Sequence, residues 1–140
     1  MNYRAVIFLG AILAAMGVAS GAIGAHLLED RVKAGLMKPK QFEQYETAVR
    51  YQMYHALGLM LIGLLGQMRP SRWLTASAVV MIVGCLLFSG GLYGHVAAVS
   101  MQKPIPLLVK IIPIGGGLQI LSWVLLAIGA VRKATGGIEN

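Results

Sequence analysis

The chain is poor in charge and in cysteine. Of its 140 residues only 12% are charged and only five are acidic, where a soluble domain carries about 25% charged residues. A water-facing surface of the usual kind is therefore excluded. The single cysteine, Cys85, lies inside an apolar run, so neither an intrachain disulfide nor a CxxC metal motif is possible. No HExxH motif occurs, and no glycine-rich loop is followed by GKS or GKT. No carboxylate lies deep in an apolar run; Glu29 and Asp30, at the edge of one, come nearest. Ser20, Ser89 and Ser122 have no His-Asp pair nearby in sequence, and Cys85 has no neighbouring charge to lower its thiol pKa. No catalytic constellation and no cofactor motif is recognised, and an enzyme is not expected.

What is present is apolar. Hydrophobic residues make up 57% of the chain and the mean hydropathy is +0.72, which places it in the membrane. At 140 residues it is one unit. Four runs are long enough for the hydrocarbon layer, which takes about 20 helical residues: about 5–28, 51–68, 73–99 and 111–131. The expected fold is an all-α, integral membrane four-helix bundle. The net charge of +7 raises nucleic acid as a partner. Against it, the basic residues sit between the apolar runs, where they meet lipid headgroups rather than forming a stripe. Membrane lipids are the expected partners, and nucleic acid is not.

The N-terminal "MNYR", its apolar run and the small residues before Gly21 imitate a cleaved secretory signal. The run continues to Leu28, so an uncleaved first span is expected. Spans two and three are joined by the tight turn "MRPSR". The longer segment before span two is amphipathic over about 39–50: Pro39 suits a first helical turn, and Phe42, Tyr45, Val49 and Met53 share one face. Lys40, Glu43, Glu46 and Arg50 cover the rest, with Glu46 and Arg50 spaced for an i,i+4 ion pair. An interfacial helix that bends or runs into span two is expected. Basic residues are divided five (Arg4, Arg69, Arg72, Arg132, Lys133) against seven (Arg31, Lys33, Lys38, Lys40, Arg50, Lys103, Lys110) between the two faces. That is too even for the positive-inside rule to set orientation.

Small residues mark the faces on which helices approach in lipid. In span one Gly10, Ala14, Gly17, Gly21 and Gly24 form such a seam; in span four Gly115, Gln119, Ser122 and Gly129 form another with a polar centre. Gln119 and Ser122 are expected to hydrogen-bond between helices. "PIGGG", Pro113 to Gly117, predicts irregular first turns for span four.

Alternation of the spans brings the end of span one, the start of two, the end of three and the start of four to one membrane face. That face gathers His26, Tyr51, Tyr54, Tyr93 and His95 with His55, so all three histidines lie there. Three readings compete. The histidines could bind zinc with one open position. His26, Arg50, Tyr51 and His55 could ring the mouth of a site for a proton, a small ligand, or a lipid or quinone headgroup. Or the polar residues form an interfacial belt and satisfy one another.

"GAIGAHLL", "TAVRYQMYHALGLM", "LFSGGLY" and "IIPIGGGLQILSW" occur in this order. Together they resemble the YgdD-like family of small membrane proteins, domain-of-unknown-function family 423, related to transmembrane protein 256. The resemblance covers nearly the whole chain. It implies an inner-membrane protein with several transmembrane helices and no established activity, and it places His26, Arg50, Tyr51, Gln52, His55 and Pro113 within motifs. His95 departs from that pattern, where an apolar residue is usual, which weakens a three-histidine site. The expected function is an accessory or self-associating membrane component, as a homo-oligomer or with a membrane-protein partner. The alternative is a ligand or proton binder at the His26 and His55 end.

Overall fold

The computed structural model describes residues 1–131. Arg132 and Lys133, counted above, lie outside the described residues. The described chain forms four long rods. The first is α1 (Tyr3–Ile23), a π-helical turn (Gly24–Leu28) and the short α2 (Glu29–Lys33). The second is α3 (Pro39–Met68). The third joins α4 (Arg72–Cys85), a second π-turn (Leu86–Gly90) and α5 (Gly91–Ser100). The fourth is α6 (Pro106–Val131).

Three rods are long and apolar enough to cross a membrane: Tyr3–Lys33, Arg72–Ser100 and Pro106–Val131, with mean hydropathies of 2.3, 2.0 and 2.0 over an 18-residue stretch of each. α3 is equally long but less apolar. Its first turns carry Lys40, Glu43, Glu46 and Arg50, and farther along the polar Gln52 and His55 are covered by protein rather than by lipid, as are Ala56, Gly58, Leu59, Ile62, Gly63 and Gly66. The rods pair as two antiparallel hairpins, α1 with α3 and α4–α5 with α6, and α3 joins them by also packing on α4 and α5. The core lies at that joint, with Leu59 and Ile62 of α3 clustered with Leu74, Ala78 and Met81 of α4 and Leu126 of α6. Phe8, Val18, Ile114 and Ile120 point outward at 58–71% exposure, as lipid-facing side chains do.

Each end is set by local chemistry. Asn2 caps α1, its Oδ1 accepting from the Arg4 and Ala5 amides. Pro39 opens α3, and Gln41 Oε1 accepts from the Lys38 amide at 2.9 Å. The amphipathic segment 39–50 runs straight on into the rest of α3. Its Phe42 and Tyr45 rings lie against Gly24 of the first π-turn, and the Tyr45 hydroxyl donates to the Ser20 carbonyl at 2.9 Å.

Two sequence expectations are corrected. Pro113 and Gly115 to Gly117 lie within the unbroken α6, which starts at Pro106. Pro113 is the eighth residue of this helix, so the bond an amide there would make to the Val109 carbonyl is missing, yet the helix continues through it. Glu46 and Arg50 form no ion pair. Among the described residues the only salt bridges join Lys33 to Glu29 and Asp30, since both Glu46 and Arg50 are exposed and such surface pairs gain little.

Candidate functional site

The residues of interest are positioned by close helix approach. On α1, a Cβ added to Gly10 would lie 2.7 Å from the Ala56 carbonyl oxygen of α3. Gly17, Gly21 and Gly24 face Met53, Val49 and Tyr45 in the same register, and Ala14 is half-buried between them. Glycine is required at Gly115 too, where a Cβ would lie 2.5 Å from the Phe88 amide nitrogen in the second π-turn. With α6 held against the π-turn, Gln119 is 3% exposed and its Cγ lies beside Gly84.

A groove of about 620 Å³ opens beside this contact, where α3 and α6 diverge. Tyr51, Tyr54, His55 and Leu57 line it from α3, Phe88 from the π-turn, and Gly116, Gln119, Ile120 and Trp123 from α6. Five of these nine carry aromatic rings, and none carries a full charge. The rings form a connected wall. Tyr51 packs on Phe88 with centroids 5.1 Å apart, on Tyr54 at 5.8 Å, and stacks on His55 at 6.2 Å; His55 meets Trp123 at 6.0 Å.

His55 is 3% exposed and both ring nitrogens are engaged. Nδ1 lies 2.6 Å from the Tyr51 carbonyl, and Nε2 accepts the Trp123 indole N–H at 3.2 Å. A carbonyl only accepts and an indole N–H only donates. These partners therefore assign the neutral Nδ1–H tautomer, with the ring fixed across the floor of the groove.

Gln119 is different. Its backbone carbonyl accepts from Ser122 Oγ at 2.7 Å, but its side-chain Nε2 is buried without a partner. The expected hydrogen bonds between helices come out otherwise: Ser77 of α4 donates to the Ser122 carbonyl at 2.7 Å, and the Gln119 amide is left beside the groove. Gln52, the other buried amide, donates from Nε2 to the Leu13 carbonyl of α1 at 2.8 Å. An unpaired buried amide costs about 1–3 kcal/mol, so Gln119 stands out.

The four residues expected at one mouth are divided. Tyr51 and His55 line the large groove. Arg50 lines a separate cleft of about 290 Å³ with Gly21, Gly24, Ala25, Tyr45, Glu46 and Val49. His26 is exposed and lines neither. The antiparallel register explains the separation, because Gly24 faces Tyr45, almost three helical turns from His55. His95, with a buried and unpartnered Nδ1, belongs to α5. Among the described residues no three His, Cys, Asp or Glu side chains converge for a metal.

Phe88, Trp123, Ile120 and Leu57 escape the sequence reading. Phe88 reaches the groove from within a π-turn, whose register no 3.6-residue periodicity shows. Trp123 falls in the middle of the fourth apolar run, and its Nε1 bond to His55 joins residues 68 apart in sequence.

The model of the family described as "Protein of unknown function (DUF423)" matches residues 20–116. The UPF0382 membrane protein YwdK of Bacillus subtilis is 37% identical over 92% of this chain and 98% of its own length. The UPF0382 membrane protein of Staphylococcus saprophyticus is 38% identical over the same shares. The UPF0382 inner membrane protein YgdD of Escherichia coli K12 is 31% identical over the whole chain and 99% of its own length. No solved structure matches. With three rods apolar enough to cross a bilayer, these matches identify a multi-pass protein of the plasma (inner) membrane, and the chain belongs to the DUF423 family.

Proposed function

We propose that this protein binds a neutral, lipid-soluble ligand in the groove between α3 and α6, with α3 crossing the bilayer as a fourth, protein-shielded span. The observation that carries the reading is the unpaired, buried Gln119 amide at an aromatic groove of about 620 Å³. Ligand pockets are mostly apolar with a few polar groups that fix orientation, and their volumes run from about 300 to 1,000 Å³. The missing charge disfavours an ionic ligand, which would leave its charge uncompensated in a low-dielectric wall. His55 and Trp123 satisfy each other, so they shape the site and leave Gln119 as its buried polar group without a partner, beside the hydroxyls of the more exposed Tyr51 and Tyr54.

The competing reading is an accessory component that associates with itself or with another membrane protein. The small-residue seams that pointed to it are used within the chain: Gly10, Gly17 and Gly24 against α3, and Gly115 against the π-turn. They are not available to a partner. Thermal stabilisation in mild detergent, across diacylglycerol and short-chain quinone probes, tests the groove. Wild type is expected to gain stability with at least one probe, and Ile120→Trp, which fills the groove from a 71% exposed position, to lose the gain while keeping its helical circular dichroism. His26→Ala and Arg50→Ala are expected to respond as wild type. Equal responses from wild type and Ile120→Trp would remove the groove as the site.

A further inference from the structure

Resting on that reading, the geometry points to the class of ligand: we infer that the groove takes a flat, electron-poor ring bearing a carbonyl, a quinone-type headgroup, with the carbonyl accepting from Gln119 Nε2. Three observations select this class over an acyl glyceride or a sterol-like hydrocarbon.

The first is the wall. Tyr51, Tyr54, Phe88 and Trp123 make the lining chiefly aromatic, with Leu57 and Ile120 its aliphatic side chains, where a channel for an acyl chain would be chiefly aliphatic. Electron-rich phenol and indole rings favour offset stacking on a ring whose electron density is withdrawn by carbonyls. The second is the strip along α6. Gly116 has no side chain, so α6 presents bare backbone to the groove there, and the Phe88 ring lies over that glycine, 3.5 Å from where a Cβ would be. The third is the polar inventory. The Trp123 N–H is spent on His55, and the His55 Nδ1–H on the Tyr51 carbonyl. Gln119 lines the groove and its Nε2, itself covered, is the buried donor left over; turning the amide about its Cγ–Cδ bond presents that donor to a ligand, and a donor calls for an acceptor without an acidic proton. A quinone carbonyl meets this and a hydrocarbon does not; an acyl glyceride, whose ester carbonyls also accept, is set apart by the aromatic wall. The groove opens beside Ile120 and Leu57, which are 71% and 55% exposed on the lipid-facing surface, so the ring enters sideways from the bilayer with its tail left among lipid chains. No electron transfer is part of the proposal.

The probe is 2,3-dimethyl-1,4-naphthoquinone, with 2,3-dimethylnaphthalene as its carbonyl-free counterpart and dioleoylglycerol as the acyl competitor. Trp73→Phe leaves Trp123 as the sole indole, and its quenching or displacement reads occupancy. The quinone is expected to quench saturably, about tenfold tighter than the hydrocarbon, the worth of one hydrogen bond to an otherwise unpaired buried donor. Gln119→Met, equal in length without a donor, is expected to bring the two within about twofold and leave hydrocarbon binding in place. Gln119→His, which restores a donor, is expected to recover part of the preference. Equal affinity for ring and quinone, or a preference that survives Gln119→Met, overturns the carbonyl contact. Displacement by dioleoylglycerol with no saturable quinone binding overturns the class and leaves the groove as a lipid site. Binding of none of the three overturns the groove reading itself.

Discussion

Gln102 occupies a conformation that suits another residue better. It follows α5 with φ +58°, the one non-glycine in the left-handed region among the described residues. Its amide donates to the Val99 carbonyl at 3.0 Å and the Lys103 amide to the Ala98 carbonyl at 2.9 Å. The same double bond ends α2, where Gly35 has φ +71° and the Gly35 and Leu36 amides reach Val32 and Arg31. This is the Schellman closure, whose left-handed position favours glycine. Gln102→Gly is expected to stabilise the protein by up to about 1 kcal/mol, since the side-chain clash outweighs the added backbone freedom, read as a higher melting temperature in detergent. Tyr3 supplies the opposite case. Its hydroxyl donates to the Ser71 carbonyl or meets Thr75 Oγ1, at 3.1 and 3.0 Å, and accepts the Ser71 amide at 3.3 Å. Tyr3→Phe is expected to cost about 1–2 kcal/mol, because the Ser71 and Thr75 groups lose a partner in a half-buried place.

At the scale of the helix, apolar runs were legible because hydrocarbon imposes them. A span must be about 20 apolar residues long, so 5–28, 73–99 and 111–131 each fall within a described rod. The amphipathic face of 39–50 was legible for a similar reason, since Phe42, Tyr45 and Val49 meet α1 while Lys40, Glu43 and Arg50 face outward. What stayed hidden depends on register between distant elements. Sidedness alone put His26 beside His55; the pairing of Gly24 with Tyr45 sets them far apart along the helix. Nor does sequence reveal which amide remains unpaired: Gln52 and Gln119 look alike until Leu13 is seen to serve one and nothing the other. The π-turn at Leu86–Gly90 is held by the glycine opposite it. Gly115→Leu is expected to force α6 off Phe88 and Leu87, destabilising by about 1–3 kcal/mol as an overpacked core does. It should also abolish ligand stabilisation, whereas Gly117→Leu, with open space around its Cβ, should do neither. Melting curves of the two variants with and without naphthoquinone separate these outcomes.

At the scale of the whole molecule, the four rods are two hairpins sharing a single helix. α1 pairs with α3 and α4–α5 with α6, while α3 alone packs against both hairpin partners at length. The joint is apolar and close: Leu59, Ile62, Leu74, Ala78 and Met81 are at most 1% exposed, and a Cβ on Gly58 would lie 2.9 Å from Met81 Sδ and 3.1 Å from the Trp123 ring. In lipid, where apolar surface is covered in either state, such an interface is held by packing and by the hydrogen bonds that cross it. Side-chain bonds do so at two places: Tyr3 to Ser71 and Thr75, and Trp123 to His55. Each hairpin satisfies its own backbone as a helical pair, so the two should insert independently and then dock. Coexpression of residues 1–69 with 70–140 is therefore expected to give a complex that copurifies from mild detergent through a tag on either piece. Gly58→Leu should dissociate it by prising α3 from α4 and Trp123. Trp123→Phe should weaken it less, removing one bond while keeping most of the ring. Failure of the unmutated pieces to copurify would mean that the Arg69–Ser71 turn, rather than the α3 face, holds the hairpins together, and the groove between α3 and α6 would then depend on chain continuity.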